Sequence, residues 1–400
     1  MVLGRRVCAG LLLALSGAKV TASPIDRVHV EAYGTSGRAS LDFNFENFTT
    51  FAIHNSLTSP SEASFELGDD TGYDRIAELV QLGARFRVFV NDRPRITGRV
   101  ELHDAAVSFD RSMTESFTIR TKLTDGVFSS APARVRVSGV SIRDFVLAVY
   151  ASVGLTAADF DFRGDVSRDL ITGKSSRGKR APLPLEPIKE DEAKVQPPES
   201  CFAAVDRHLR RHGLMHWDGP DGKIVVSAPD DSQDPSYVLR LLKGLEGQYN
   251  NVLDATRGQD VSEAPTELGL FGTGAKAGEP RAKASAVVRN QALIDAGFTR
   301  RASIVDEAMR NKSFADRRAA REMSNRRRGL ERITATVDGL AYRDGLDPIP
   351  WAPDTVADLY FEVLGGTLGA YYLEDVQMTR AGDSGDLSRL TFVPKGVWQL

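Results

Sequence analysis

The chain has 400 residues, 42% hydrophobic and 26% charged, with a formal net charge of −3. That length exceeds what one small core organises and implies several subdomains. The mild acidity argues against a general nucleic-acid binder while leaving room for a local basic patch, and Cys8 and Cys201 make neither a metal-ligand spacing nor a disulfide framework.

Residues 1–27 contain Arg5 and Arg6, an apolar stretch from Val7 to Leu15, and Val20-Thr-Ala22. This fits either a cleavable secretory leader or an N-terminal extension. No stretch reaches the ~20 apolar residues needed to span a bilayer. Residues 28–137 read mainly as strands, with period-two alternation in Val28-His-Val-Glu-Ala, Leu41-Asp-Phe-Asn-Phe, Ser64-Phe-Glu-Leu and Phe86-Arg-Val-Phe-Val. Asn91-Asp-Arg-Pro94 predicts a hairpin turn, and residues 73–82 predict a short helix or a loop.

Residues 138–236 change character. Ile142, Phe145, Val146, Val149 and Tyr150 fall at helical spacing, with Ser141 as cap and Gly154 as stop. Residues 164–198 read as a linker or long surface loop, basic at first and then proline-rich. A helix is predicted over 200–213, then a hairpin about Gly219-Pro-Asp-Gly222. Residues 237–254 read as strands and 258–284 as a mobile insertion. Residues 298–333 read as mostly helical, and the remainder as strands to the C-terminus. Without a regular βαβ alternation, the class is α+β: β-rich domains over 28–137 and 237–400, separated by a helix, linker and hairpin domain.

The residues offer little chemistry. His208, His212 and His216 are spaced four apart, but Gly213 interrupts the shared helix face and Arg210 and Arg211 repel a cation, so solvated histidines are expected instead of a metal site. Gly272-Thr-Gly-Ala-Lys-Ala-Gly278 lacks the phosphate-loop spacing. Asp69-Asp70 and Glu190-Asp-Glu192 are adjacent loop acids with no apolar pocket beside them, and no G-x-S-x-G elbow is present. No catalytic residue, metal ligand or cofactor site is assigned.

The basic helix over 316–333 carries Arg317, Arg318, Arg321, Arg326, Arg327, Arg328 and Arg332. Three readings apply: a subunit interface of guanidinium forks on carboxylates, a solvated face, or a phosphate-contacting surface. Interface is preferred, with Arg317, Arg321 and Arg328 at compatible spacings on one face.

Four stretches together resemble the baseplate hub proteins of contractile-tailed phages, the Mu-like tail protein family. The first is Phe48-Thr-Thr-Phe-Ala-Ile-His-Asn-Ser-Leu with Ala63-Ser-Phe-Glu-Leu, Arg87-Val-Phe-Val-Asn-Asp and Ile96-Thr-Gly-Arg-Val100. The second is Gly139-Val-Ser-Ile-Arg-Asp-Phe-Val, and the third Ser200-Cys-Phe-Ala-Ala-Val-Asp-Arg-His-Leu-Arg-Arg-His-Gly-Leu-Met with Asp221-Gly-Lys-Ile-Val-Val. The fourth is the basic helix with Thr334-Ala-Thr-Val-Asp-Gly-Leu, Asp344-Gly and Trp351-Ala-Pro-Asp-Thr-Val. The resemblance implies two tube-like domains per subunit and a homotrimer forming a pseudo-six-fold ring. That ring would join the hexameric tail tube protein to the trimeric central spike protein among other baseplate proteins, with genome DNA passing through the lumen. It implies a virion component assembled in the host cytoplasm, with no reaction catalysed, and residues 138–228 as decoration or a spike-facing part. The alternative of another class is a secreted or periplasmic enzyme or binding protein with a cleaved leader.

Overall fold

The computed structural model describes residues 26–32, 44–45, 48–67, 80–107, 113–132, 141–163, 170–174, 180–184, 198–244, 250–272, 285–306, 312–343, 347–364, 366–381 and 385–396. The leader stretch, the acids at 69–70 and 190–192, and residues 273–284 of the glycine-rich stretch lie outside them, as does most of the segment at 73–82.

The chain opens on β1 (Val28–Ala32), β2 (Asn44–Phe45), β3 (Thr50–Ser56), β4 (Glu62–Leu67), β5 (Arg85–Val90), β6 (Arg93–Val107) and β7 (Met113–Arg120). The alternation is realised in burial: Ala63, Phe65 and Leu67 of β4 point inward while Glu62 and Ser64 are exposed. Asn91 and Asp92, at φ 50° and 59°, link β5 to β6. Both sit in the left-handed region, as a two-residue turn matched to strand twist requires.

The helical module follows with α1 (Leu123–Phe128), α2 (Ile142–Tyr150), β8 (Phe160–Phe162), β9 (Leu170–Lys174), β10 (Arg180–Pro184), α3 (Cys201–His212), β11 (Met215–Asp218) and β12 (Ile224–Ser227). Ser141 caps α2 by accepting from the Asp144 amide at 3.1 Å, and Gly213 ends α3 at φ 89°. The small sheet runs β11-β12-β8, with β12 and β8 parallel. Its core joins Phe145, Val149 and Tyr150 to Val205, Leu209 and Ile224. The linker read over 164–198 is corrected in part, because β9 and β10 pair antiparallel from Leu170 with Pro184 to Lys174 with Arg180. Prolines obscure the strand in sequence, yet a two-stranded ribbon has edge positions where a missing N–H costs no ladder bond.

The last part contains β13 (Tyr237–Leu241), β14 (Asp254–Gln259), β15 (Glu267–Gly272), β16 (Ser285–Arg289), α4 (Gln291–Asp295), β17 (Arg301–Asp306) and α5 (Lys312–Arg328). These are followed by β18 (Glu331–Asp338), β19 (Ala341–Tyr342), β20 (Ile349–Pro350), β21 (Thr355–Phe361), β22 (Gly366–Ala381) and β23 (Asp386–Pro394). Two expectations change. Within 258–284, residues 267–272 are a strand whose Leu268 and Leu270 are buried. Within 298–333, residues 301–306 are a strand parallel to β15, and the basic helix occupies 312–328. Ala315 and Ala319 of α5 pack on Leu270 and Ala286, where small side chains let helix and sheet approach closely.

Among the described residues thirteen strands form one sheet system, and it contains the same path twice. Leaving out the two-residue β2, the first half runs β3-β4-β7-β6-β5-β1 and the second β14-β18-β23-β22-β21-β13. In each, the strands in chain order pair as second, third, sixth, fifth, fourth, first. The correspondence reaches single residues. β6 against β7 shifts register between Val100 and Leu102, and β22 against β23 between Leu373 and Asp375. The skipped residues are Glu101 and Glu374. Gly83 donates to the Val100 carbonyl and Asp354 to that of Leu373, both from positive φ. The copies differ in their first strand, antiparallel to its neighbour in β1 and parallel in β13. The halves are joined by β22, which pairs with β21 over Gly366–Leu373 and then with β3 over Asp375–Ala381. One buried core runs through both, from Phe65 and Phe117 to Leu373 and Phe392.

Candidate assembly site

The basic helix spends much of its charge within the chain. Arg328 pairs with Glu374, which is 1% exposed at the bulge where β22 changes partners, and Arg332 reaches the same carboxylate at 3.6 Å. Burial, reinforced by Arg332 and Arg210, pushes the Arg328 guanidinium down to about 10. Arg321 is 5% exposed and within electrostatic reach of Asp206 and Arg210 on α3. Burial and then Arg210 push it down to about 9, and its Nε has no hydrogen-bond partner among the described residues. Arg318 pairs with the buried Asp306, and Arg326 with Glu322 at 3.1 Å. The side chain of Arg317 lies outside the described residues. A guanidinium this far from water is costly without a paired carboxylate, so the Arg328–Glu374 pair fixes α5 against the joint between the halves, while Arg321 is buried near α3 with the charges of Asp206 and Glu322 only partly offsetting its burial.

Other buried polar contacts lock the helical module and the two halves together. Gly222, at φ 80°, lets the β11–β12 turn press on Thr97 of β6, whose hydroxyl donates to the Pro220 carbonyl at 3.0 Å; a Cβ at Gly222 would come within 2.8 Å of Thr97. Asp218 accepts from the Ser61 amide at 2.8 Å and the Thr121 hydroxyl at 2.7 Å. Asp26 accepts from the Leu340 amide at 2.6 Å and from Asn91 at 2.7 Å, and pairs with Arg343.

Burial outweighs the hydrogen bonds at Asp218 and pushes its carboxyl up to about 6, from an ordinary 3.8. The folded chain then binds a proton that the unfolded chain releases above pH 3.8. The contribution is therefore greatest at low pH and is lost as pH rises toward 6. Relative to Asp218→Asn, the parent is expected to lose roughly 2–3 kcal/mol of unfolding free energy between pH 4 and 7, at ~1.4 kcal/mol per unit. Urea unfolding of both chains across that range checks this, and parallel pH profiles would refute it.

The histidines are buried, correcting the solvated reading: His208, His212 and His216 are 1%, 7% and 2% exposed. Two of them share the inner face of α3 with Val205 and Leu209, and the His208 ring lies 4.4 Å from that of Phe145. Burial, then Arg210, pushes His216 down to about 3, and the Nε2 of the neutral ring shares a hydrogen bond with the Tyr150 hydroxyl at 2.9 Å. Among the described residues no cluster of His, Cys, Asp and Glu could hold a metal ion, and no helix is long and apolar enough to cross a membrane.

Among the described residues β2 and β13 pair on one side only, β13 with Asn251 bonded to Val238 and Arg240, and two further edges of the sheet stand open. β14 pairs only with β18 and is exposed along nearly its whole length. The end of β6 from Leu102 onward pairs only with β7, because its pairing with β5 ends where Arg85 opposes Arg99; Leu102 there is 48% exposed. Sequence reasoning weighed a subunit interface on the arginines and did not consider either edge. The polar, exposed text of 254–259 was the available signal.

No protein-family model matches the chain, and no curated protein is detectably similar in sequence. Solved structures are similar in fold. The tail protein from Neisseria meningitidis matches with a TM-score of 0.72 at 16% identity, over 94% of this chain and 98% of that one. The 43 kDa tail protein of prophage MuSo2 from Shewanella oneidensis matches with a TM-score of 0.68 at 17% identity, over 93% and 99%. An Escherichia coli component of the type VI secretion system, described as structurally similar to the phage T4 tail proteins gp27 and gp5, matches with a TM-score of 0.51 at 8% identity, over 92% and 78%. The chain has, over nearly its whole length, the α+β fold of phage tail proteins, as its resemblance to the Mu-like tail proteins implies.

Proposed function

We propose that the chain is a structural subunit of a phage-type tail, the baseplate hub that joins a six-fold tail tube to a three-fold central spike. The observation that carries this is the six-strand path present twice in one chain and joined edge to edge. Three such chains present six near-equivalent units outwardly while keeping three-fold symmetry in everything else, including the helical module. One face can then meet a hexameric tube protein and the other a trimeric spike, with DNA passing through the centre without being read. Partners are tube, spike and other baseplate proteins, and the site of action is the tail of a virion assembled in the host cytoplasm. No group described above is arranged for catalysis, and the fold relatives are tail proteins. In this reading the arginines of α5 act at the joint, and any contact of Arg317, Arg321 or Arg328 with a neighbouring subunit is made beside it.

The expected result of light scattering on the purified chain is three times the 43.6 kDa subunit mass, with negative-stain images of a ring around a central hole. A particle that stays monomeric at every concentration would overturn the hub.

A further inference from the structure

The two open edges are the unfilled counterparts of a joint the chain already makes. Inside the chain, the second strand of one copy (β3) pairs antiparallel with the far half of the fifth strand of the other (β22), beyond its bulge. The remaining second strand is β14, and the remaining far half of a fifth strand is β6 beyond Glu101. Each carries backbone donors and acceptors that a matching strand would satisfy. They lie in different copies, so a single chain leaves one of each kind.

We infer that β14 of one subunit pairs antiparallel with the end of β6 in a second copy of this chain, repeating the β3–β22 joint between subunits. This rests on the ring reading above and deepens it by naming the strands that close the ring. The duplication also dictates the register. Leu102 opposes Thr118 where Asp375 opposes Thr391, and Ala52 opposes Ser64 where Thr256 opposes Thr334; Ser64 and Thr334 in turn face Thr118 and Thr391. Leu102 therefore corresponds to Asp375 and Thr256 to Ala52. Because the internal joint sets Asp375 against Ser56 and Thr379 against Ala52, the subunit joint sets Leu102 against Asp260, His103 against Gln259, Asp104 against Gly258, Ala105 against Arg257 and Ala106 against Thr256.

The side chains permit it. No like charges are opposed, and Ala105, Ala106, Thr256 and Gly258 are small enough for close strand approach. Leu102, otherwise a solvent-exposed leucine, gains cover. The contact is head to tail, with different surfaces on the two partners, so repeating it builds a ring when the rotation closes. Main-chain bonds supply the contact and the bulges fix its register.

The test is a chain carrying Ala106→Cys and Thr256→Cys with Cys8→Ser, the native Cys201 being fully buried. Mild oxidation is expected to shift the monomer band on a non-reducing gel to covalent dimer and trimer, reversibly with dithiothreitol. Either single variant should give no ladder, and the two single variants mixed should give covalent dimer alone. Independently, Ala106→Lys on the exposed edge is expected to convert the trimer mass to a monomer mass with the far-ultraviolet circular dichroism unchanged and the thermal midpoint no longer dependent on concentration. A trimer that neither cross-links here nor at Asp104→Cys with Gly258→Cys, and that survives Ala106→Lys, would overturn the strand pairing and leave the ring reading intact. A parent chain that is monomeric throughout would overturn both.

Discussion

Glu374→Ala is expected to lower the unfolding free energy by about 3 kcal/mol, the scale found when one partner of a buried ion pair is removed. Glu374 is 1% exposed and takes Arg328, with Arg332 at 3.6 Å. Removing the carboxylate leaves the Arg328 guanidinium, already displaced downward by burial and by the positive charge of Arg332 and Arg210, without its counter-charge. The bulged position makes the loss more than local, since the Leu57 amide donates to the Glu374 carbonyl at 3.2 Å where β3 begins to pair with β22. The double replacement Glu374→Leu with Arg328→Met is expected to recover most of the loss, because exchanging a whole buried pair for apolar groups is far cheaper than halving it. Urea titration of the three chains decides. A loss under ~1 kcal/mol for Glu374→Ala would mean that the pair is hydrated and that α5 is held by its alanines instead.

The arginine helix shows how far the sequence could be read. Its charge density is visible in the text, but its partners are not: Glu374 lies dozens of residues away on β22 and Asp306 precedes the helix on a strand that reads as helical. Residues 85–100 and 141–150 were legible because each carries its own period and its own turn or cap. Residues 301–306 were not, because a six-residue strand between a short helix and a long one leaves too little alternation to outweigh its neighbours. The histidines of α3 misled for a related reason. Only the second helix packed across α3 makes a histidine face an inside face. The duplication is hidden most deeply. The copies share an order of pairing and the bulged Glu101 and Glu374, while the module from β15 to α5 is inserted between strands that are adjacent in the first copy. A search for repeated residues passes over it; the pairing order exposes it.

Trp351→Ala is expected to cost about 4 kcal/mol, the usual scale for a large aromatic removed from a core. Trp351 is 2% exposed, with its ring 4.7 Å from that of Tyr237 and 5.7 Å from that of Tyr342. Its neighbourhood carries the contact between the halves. Arg95 of β6 donates to the carbonyls of Trp351 and Pro350 at 3.2 and 3.3 Å, and the Tyr237 hydroxyl donates to the Pro350 carbonyl at 3.2 Å. Burial pushes Arg95 down to about 10, and among the described residues the carbonyls of Trp351 and Pro350 are what its guanidinium bonds. Trp351→Phe should be much milder, at roughly 1–2 kcal/mol, because the indole Nε1 has no hydrogen-bond partner among the described residues and gives up only volume. The ratio of the two losses separates packing from polar anchoring: nearly equal losses would show that the indole N–H is bonded after all. If the Trp351→Ala chain also falls from trimer to monomer mass while retaining its far-ultraviolet circular dichroism, the relative setting of the two strand systems is what the ring requires, since Trp351 lies in the core and away from both open edges.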